Sequence, residues 1–211
     1  MEKDELAKEY VVSFYDCLLR RFGDSPQALG WNPNGQVHYY WALLDIGDLR
    51  GSKVLDFGCG KGDFYGFLKE LGIEVDYTGL DINSNLIDLA RKKYPDTDFR
   101  TFDISKEDFT EDYDYIFICG VFNLKVHGIE DTLKEVLKKL FARCKVALAI
   151  NALSSYAKKK DFLLHYTQPE GLFTFAMQHL SSYVSLRHDR LKESFTIFVY
   201  KDINLNLVLK S

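Results

Sequence analysis

The 211-residue sequence predicts a doubly wound α/β fold. From Lys53 to Ile150 short apolar runs alternate with segments of helical spacing, which argues for a parallel sheet with helices on both faces. The helix ends agree, since Gly72 follows the first crossover helix and Pro95 lies just beyond the second. After Pro169 the rhythm changes to a helix and two strand-like runs joined by a polar stretch, which adds an antiparallel hairpin to the sheet.

Taken in order, Leu6, Tyr10, Val11, Phe14, Leu18 and Leu19 lie at helical spacing, and Arg20, Arg21 and Gly23 suit the end of that helix. A Pro-, Gly- and Asn-rich loop runs from Gly23 to Gly35, and the aromatic cluster His38 to Trp41 falls on a second helix, 37–44. The alternating part then reads as strands over 53–57, 76–80, 99–102, 113–119 and 145–150, with helices over 64–71, 86–94 and 129–141. The closing elements are a helix over 169–182 and strands over 183–188 and 195–201. At this length, one domain spanning 1–211 is expected.

Composition removes several classes of function. With 46% hydrophobic and 27% charged residues the chain is neither disordered nor fibrous. A formal charge of −4 lacks the broad basic face with which proteins displace counterions from nucleic acid, so no nucleic-acid partner is expected. The apolar runs are far shorter than the ~20 residues of a membrane span, and the first residues are charged, so a cytoplasmic location without membrane insertion is expected. Cys17, Cys59, Cys119 and Cys144 have no metal-binding spacing, and no metal is expected.

The run Val54 to Phe64 is an apolar strand, then glycines at 58, 60 and 62, then a helix. Such a turn permits unusual dihedrals and brings free amide groups close to a ligand. A phosphate loop needs a hydroxyl residue after Gly60-Lys61, where Gly62 stands; a dinucleotide fingerprint needs glycine at 63 or 65, where Asp63 and Tyr65 stand. Asp56 and Asp63 would also repel a pyrophosphate, so the ligand should carry a positive end.

Asp56-Phe57-Gly58-Cys59-Gly60-Lys61-Gly62 resembles the first motif of class I S-adenosylmethionine (SAM)-dependent methyltransferases, D/E-x-G-x-G-x-G. SAM, which becomes S-adenosylhomocysteine on losing its methyl, carries a sulfonium and an ammonium and no phosphate. The resemblance continues at later strand ends. It implies that Asp81, with Ile82 beside it, accepts the ribose hydroxyls and that Leu86 covers the adenine. It further implies that Asp103 and the Ile104 backbone meet the adenine amino edge, and that main-chain carbonyls at Cys119 and Gly120 hold the methionine ammonium. It implies seven strands in the order 3-2-1-4-5-7-6, the seventh antiparallel. An N-terminal helical lid would span 1–50, the cofactor core 51–151, and an insertion, helix and terminal hairpin 152–211.

Each residue also has a plainer reading. Asp81 could cap the next helix, although Asn83 and Ser84 are available for that; Asp56 either touches the methionine moiety or sets the loop through backbone amides. Tyr39, Tyr40 and Trp41 fit a core helix or a lid whose aromatic faces meet a sulfonium. His127, just past the fourth strand, is either a base for the acceptor or a surface histidine opening a helix, and Asn123 is a further candidate there. His188 has no constellation in the sequence.

Reaction would be in-line displacement at the SAM methyl, accelerated largely by orientation. The motifs of amino-adenine, cytosine-C5 and metal-dependent catechol methyltransferases are missing after the fourth strand, and the acidic balance with an aromatic-rich lid favours a small-molecule acceptor. A protein or RNA methyltransferase, or a SAM-binding module without catalysis, are the alternatives.

Overall fold

In the computed structural model the described residues are 2–202, with side chains from residue 5; residues 1 and 203–211 of the expected domain lie outside them. Helix α1 spans Glu2–Phe22, and a 3-10 turn, Pro26–Leu29, leads to α2, Gln36–Leu44. The alternating region follows as β1 (Lys53–Phe57), α3 (Asp63–Glu70), β2 (Asp76–Asp81), α4 (Ser84–Lys93), β3 (Asp98–Thr101), β4 (Tyr113–Cys119), α5 (Ile129–Ala142) and β5 (Cys144–Leu153). The chain then forms α6 (Pro169–His179), β6 (Tyr183–Arg187) and β7 (Ser194–Tyr200). The seven strands lie in the order β3-β2-β1-β4-β5-β7-β6, with β7 antiparallel to both neighbours.

Period-two alternation along the strands builds two cores. Along β4, Ile116 and Ile118 face one core with Leu133, Leu137 and Leu140 of α5, while Tyr115 and Phe117 face the other with Phe64 and Leu68 of α3. In β5, Leu148 and Ile150 join the first core, whereas Ala147 and Ala149 face the second. Those two alanines lie on the face where α2 brings Tyr40 and Leu43, so small side chains leave room for a third helix on that side.

Helix α2 therefore belongs to the layer under the sheet, although the sequence placed its aromatic residues over the cleft as one of two readings. Tyr40 is only 6% exposed and touches Phe64 and Phe67, while Trp41 packs edge-on against Phe67 with half its surface in solvent. The helical cover of the strand ends comes instead from α1 and the turn after it.

Candidate cofactor and acceptor site

All five parallel strands end at one edge, and a cavity of about 270 Å³ lies along it. The glycine loop folds flat there because its backbone is committed to β2: the Gly58 and Cys59 amides both donate to the Leu80 carbonyl, at 2.7 and 3.0 Å. Gly58 has φ +76°, and a Cβ on it would lie 2.3 Å from Val121 Cγ2, so no other residue fits that position without moving the β4 end. Gly60 places its amide on Asp81 Oδ2 at 2.8 Å.

Asp81 accepts a second amide, Asn83 N, on Oδ1 at 2.8 Å. A carboxylate has about four acceptor positions, so Asp81 keeps acceptor capacity for a ligand. Burial raises the Asp81 pKa, and the amides of Asn83, Gly60 and Ile82 oppose that rise. Asn83 caps α4 by accepting Leu86 N, which frees Asp81 from the capping role.

Gly58, Gly60, Asp81, Ile82, Leu86, Asp103, Ile104, Cys119, Gly120 and His127 all line the cavity. Asp56 and Cys59 do not; they lie buried beneath the loop. Asp56 Oδ2 accepts the Tyr77 hydroxyl at 2.6 Å, and Oδ1 is a buried oxygen without a hydrogen-bond partner among the described residues. Burial pushes the Asp56 carboxyl up to about 7, reinforced by Asp81 and Asp63 and opposed by Tyr77. Asp56 thus faces β2 rather than the cleft. Lys61 of the loop is also turned away, buried between Asp63 at 2.6 Å and Asp24 at 2.9 Å, and it ties the loop to the segment after α1.

Asp103 is shared with α1. Its Oδ2 accepts Lys8 Nζ at 2.9 Å, and its Oδ1 accepts the Ser105 amide at 3.0 Å and the Ser105 hydroxyl at 2.8 Å. Burial raises the Asp103 pKa, but the Lys8 ammonium and the Ser105 donors outweigh it and hold the carboxyl below its ordinary value. Farther along α1, the Asn83 side-chain amide donates to Asp16 Oδ1 at 2.9 Å and to the Val12 carbonyl at 3.3 Å. Both fastenings of α1 are thus made at or beside the two acidic strand ends. Lys8, Val11 and Tyr15 line the cavity from this helix, and burial, with Asp81 nearby, pushes the Tyr15 hydroxyl up to about 12.

At the β4 end the Gly120 amide donates to Asn151 Oδ1 at 3.0 Å, and the Asn151 amide approaches Cys119 Sγ at 3.6 Å. Burial pushes the Cys119 thiol up to about 12, which makes it an uncharged wall. The ring of Trp31 lies over Gly120, 2.9 Å from where a Cβ would sit. Asn123 is outside the cavity lining and clamps β4 to β5, its Oδ1 accepting Leu153 N at 3.3 Å. Tyr39 packs at a tilt against Trp31, ring centroids 4.5 Å apart, and shares a hydrogen bond with Ser194 at 2.9 Å. Among the residues missed in the sequence, Lys8, Tyr15 and Trp31 have no motif; only the apolar face of α1 hinted that it must cover something.

The donor set fits SAM. A glycine-rich loop, the cavity-lining carboxylate of Asp81 with acceptor capacity to spare, and the apolar walls Ile82, Leu86 and Ile104 match a nucleoside with a cationic tail better than a diphosphate. Sheet order, glycine loop and acidic strand ends define a Rossmann-like fold of the methyltransferase type.

Residues 54–145 match the family described as Methyltransferase domain. This domain match and relatives named as methyltransferases indicate a SAM-dependent methyltransferase, and solved structures of the same fold hold SAM or S-adenosylhomocysteine. The chain is 29% identical over 154 residues to Rv1506c of Mycobacterium tuberculosis, a protein named as a methyltransferase, covering 70% of this chain and 92% of that one. A fatty-acid O-methyltransferase of Mycolicibacterium smegmatis is 33% identical over 58 residues, 28% of this chain and 21% of that one. Among solved structures, magnesium protoporphyrin IX methyltransferase of Synechocystis PCC 6803 with bound S-adenosylhomocysteine superposes with a TM-score of 0.68 at 16% identity, covering 94% of this chain and all of that one. The plantazolicin methyltransferase BpumL superposes at 0.57 and 16% identity, covering 78% and 80%.

Proposed function

We propose that this enzyme methylates a small-molecule acceptor that enters beside the β4 end. The observation that carries this reading is the cover over the strand ends: α1 and Trp31 line a cavity of about 270 Å³ there, so an acceptor would reach the methyl donor through a partly covered cleft of limited size. Relatives named for a fatty acid and a metalloporphyrin support it, and the plantazolicin enzyme marks the peptide alternative.

When bound, SAM supplies an electrophilic methyl whose carbon–sulfur electron pair stays with the departing thioether. Asp81 would hold the ribose hydroxyls, Leu86 and Ile104 would flank the ring, and Cys119 and Gly120 would face the methionine end with their backbone. Asp103 reaches the adenine edge together with Lys8. Trp31 and α1 exclude water and fix the approach of the acceptor, from which most of the acceleration arises. His127 is exposed at the cavity rim, and among the described residues no side-chain hydrogen bond orients it. It is the sequence-derived candidate for accepting the acceptor proton.

In this reading residues 1–211 form one domain, 51–151 holding the cofactor and 152–211 contributing to the acceptor side. Among the described residues no helix is long and apolar enough to cross a membrane. The cytoplasm is the proposed compartment, where the four free thiols would stay reduced.

Calorimetric titration with SAM, S-adenosylhomocysteine and NAD tests the cofactor half. Both adenosyl ligands should bind and NAD should not. Incubation with methyl-labelled SAM and a metabolite extract tests the acceptor half: label should appear in small molecules, and label confined to protein would overturn the small-molecule reading.

A further inference from the structure

We propose that the acceptor subsite lies at the β5–β7 edge between Tyr39, Asn123, Tyr156 and His188, that it takes a hydroxyl-bearing ring compound of the pyranoside type, and that His188 removes the hydroxyl proton. This deepens the small-molecule reading above and rests on it.

The topology brings these residues to the sheet edge that carries the glycine loop, beside the cavity and outside its lining. Because β7 runs antiparallel to β5, its first residue, Ser194, pairs with Leu153, so the β6–β7 loop emerges at the same edge as the glycine loop. Two chains of contact lead there from Gly120. In one, Trp31 lies over Gly120, Tyr39 packs at a tilt against Trp31, and the Tyr39 hydroxyl meets Ser194 Oγ. In the other, the Asn123 amide nitrogen is 3.2 Å from the position of a Gly120 Cβ, Asn123 Oδ1 accepts Leu153 N, and the next residue, Ser154, meets His188 Nε2 through its hydroxyl at 2.7 Å.

His188 is held as a base should be. Ser154 is fully buried, and its Oγ also accepts the Tyr156 amide at 3.2 Å, so it is a fixed partner for Nε2. The ring lies parallel to Phe195 at 6.3 Å with Tyr156 edge-on at 6.5 Å. Nδ1 has no partner among the described residues. With Nε2 donating to Ser154, Nδ1 carries the free lone pair. His127 has no such orienting partner, and a base oriented by a third group is the arrangement that activates acceptors.

The surroundings select the acceptor. Tyr156 leaves 63% of its surface in solvent, and its hydroxyl donates to Glu170 Oε1 at 2.6 Å, which gives an aromatic face beside a carboxylate. The neighbouring guanidinium of Arg187 is bound to Asp45 at 3.1 Å and Asp189 at 2.6 Å, and Arg190 is bound to Asp45 at 2.8 Å, so no unpaired arginine waits there for an anion. A carboxylate acceptor would meet Glu170 and would not need a base. A sugar hydroxyl, whose proton must leave as its oxygen attacks, needs one, while the C–H face of its ring fits the tyrosine. In the step, an oxygen lone pair forms the bond to the methyl carbon, the sulfur keeps the pair of the broken bond, and the proton passes to Nδ1.

The test uses the purified full chain with methyl-labelled SAM and four panels at millimolar concentration: methyl pyranosides, phenols, carboxylates and primary amines. Methyl ethers of pyranosides are expected. With the best pyranoside, His188→Gln should lower kcat by about 100-fold or more while its affinity for S-adenosylhomocysteine stays within about twofold. Tyr156→Ala should raise KM and leave kcat nearly unchanged. Label on phenols, carboxylates or amines in place of pyranosides, or a wild-type rate in His188→Gln, would overturn the proposal. If S-adenosylhomocysteine binds and the pyranoside panel is silent, this inference falls alone; if it does not bind, the reading beneath it falls too.

Discussion

The two halves of the strand edge are built differently. On the β1–β2–β3 side the strand-end groups that line the cavity come from one stretch, Phe57 to Ile104, under the cover of α1, and the loop backbone is made accessible by glycines and held by Leu80 and Asp81. On the β4–β5–β7 side the proposed acceptor subsite draws on Tyr39, Asn123, Tyr156 and His188, side chains from separate segments, each held by another side chain or strand. A site made of backbone tolerates few changes of residue type. A site made of side chains from distant segments can change its ligand by small substitutions, as loops on a rigid scaffold do.

The sharpest way to break this comparison is Gly58→Val. At φ +76° and with Val121 2.3 Å from a Cβ, the loop must move, and S-adenosylhomocysteine affinity should fall by more than about 100-fold in calorimetry. Retained affinity would show that the backbone half is not the rigid one. Asp81→Ala comes next, with a loss of roughly 1.5–3 kcal/mol in the same titration, because the variant removes the ribose acceptor and also releases the Gly60 amide. Asp81→Asn should lose less, since one oxygen remains.

Lys8→Met sharpens the border between the halves. It frees Asp103 from a pair that is partly open to solvent, so the loss should be modest, about 0.5–1 kcal/mol of S-adenosylhomocysteine affinity, and α1 should become more accessible to protease. A larger loss would place Lys8 directly on the ligand.

Asp56 gives a pH signature of the loop's foundation. Its folded pKa of about 7 lies above the ordinary 3.8, so the folded protein binds the extra proton between those values, and this group's contribution falls as pH rises from about 4 to about 7. Asp56→Asn should therefore flatten the decline in thermal midpoint between pH 5 and pH 8, and should stabilise the protein more at pH 8 than at pH 5. The smallest effect belongs to Trp41→Ala. The ring rests on Phe67 away from the cavity, so stability should drop by less than about 1 kcal/mol and S-adenosylhomocysteine affinity should not change.

How far the sequence reached differs element by element. The alternation between Lys53 and Ile150 placed the parallel strands within a few residues, because burial on both faces leaves a continuous apolar run that is visible locally. The helix 169–182 ended early, at His179, and β5 runs on to Leu153, past the expected 150, because antiparallel pairing with β7 supplies it with partners that no local pattern announces. Tyr40 shows the limit more plainly. An aromatic at helical spacing reads the same over a cleft as in a core, and only the alanines at 147 and 149 on a distant strand decide for the core.

By itself the sequence determined the parallel sheet, the glycine loop and the acidic strand ends, since each depends on residues close together in the chain and on backbone conformations that particular residues permit. Only the tertiary structure decided what closes over that loop and what faces it. Lys8 meets Asp103 across 95 positions, and His188 meets Ser154 across 34. Such pairings are fixed by sheet order and strand direction, which bring separated side chains to one edge by satisfying the backbone first.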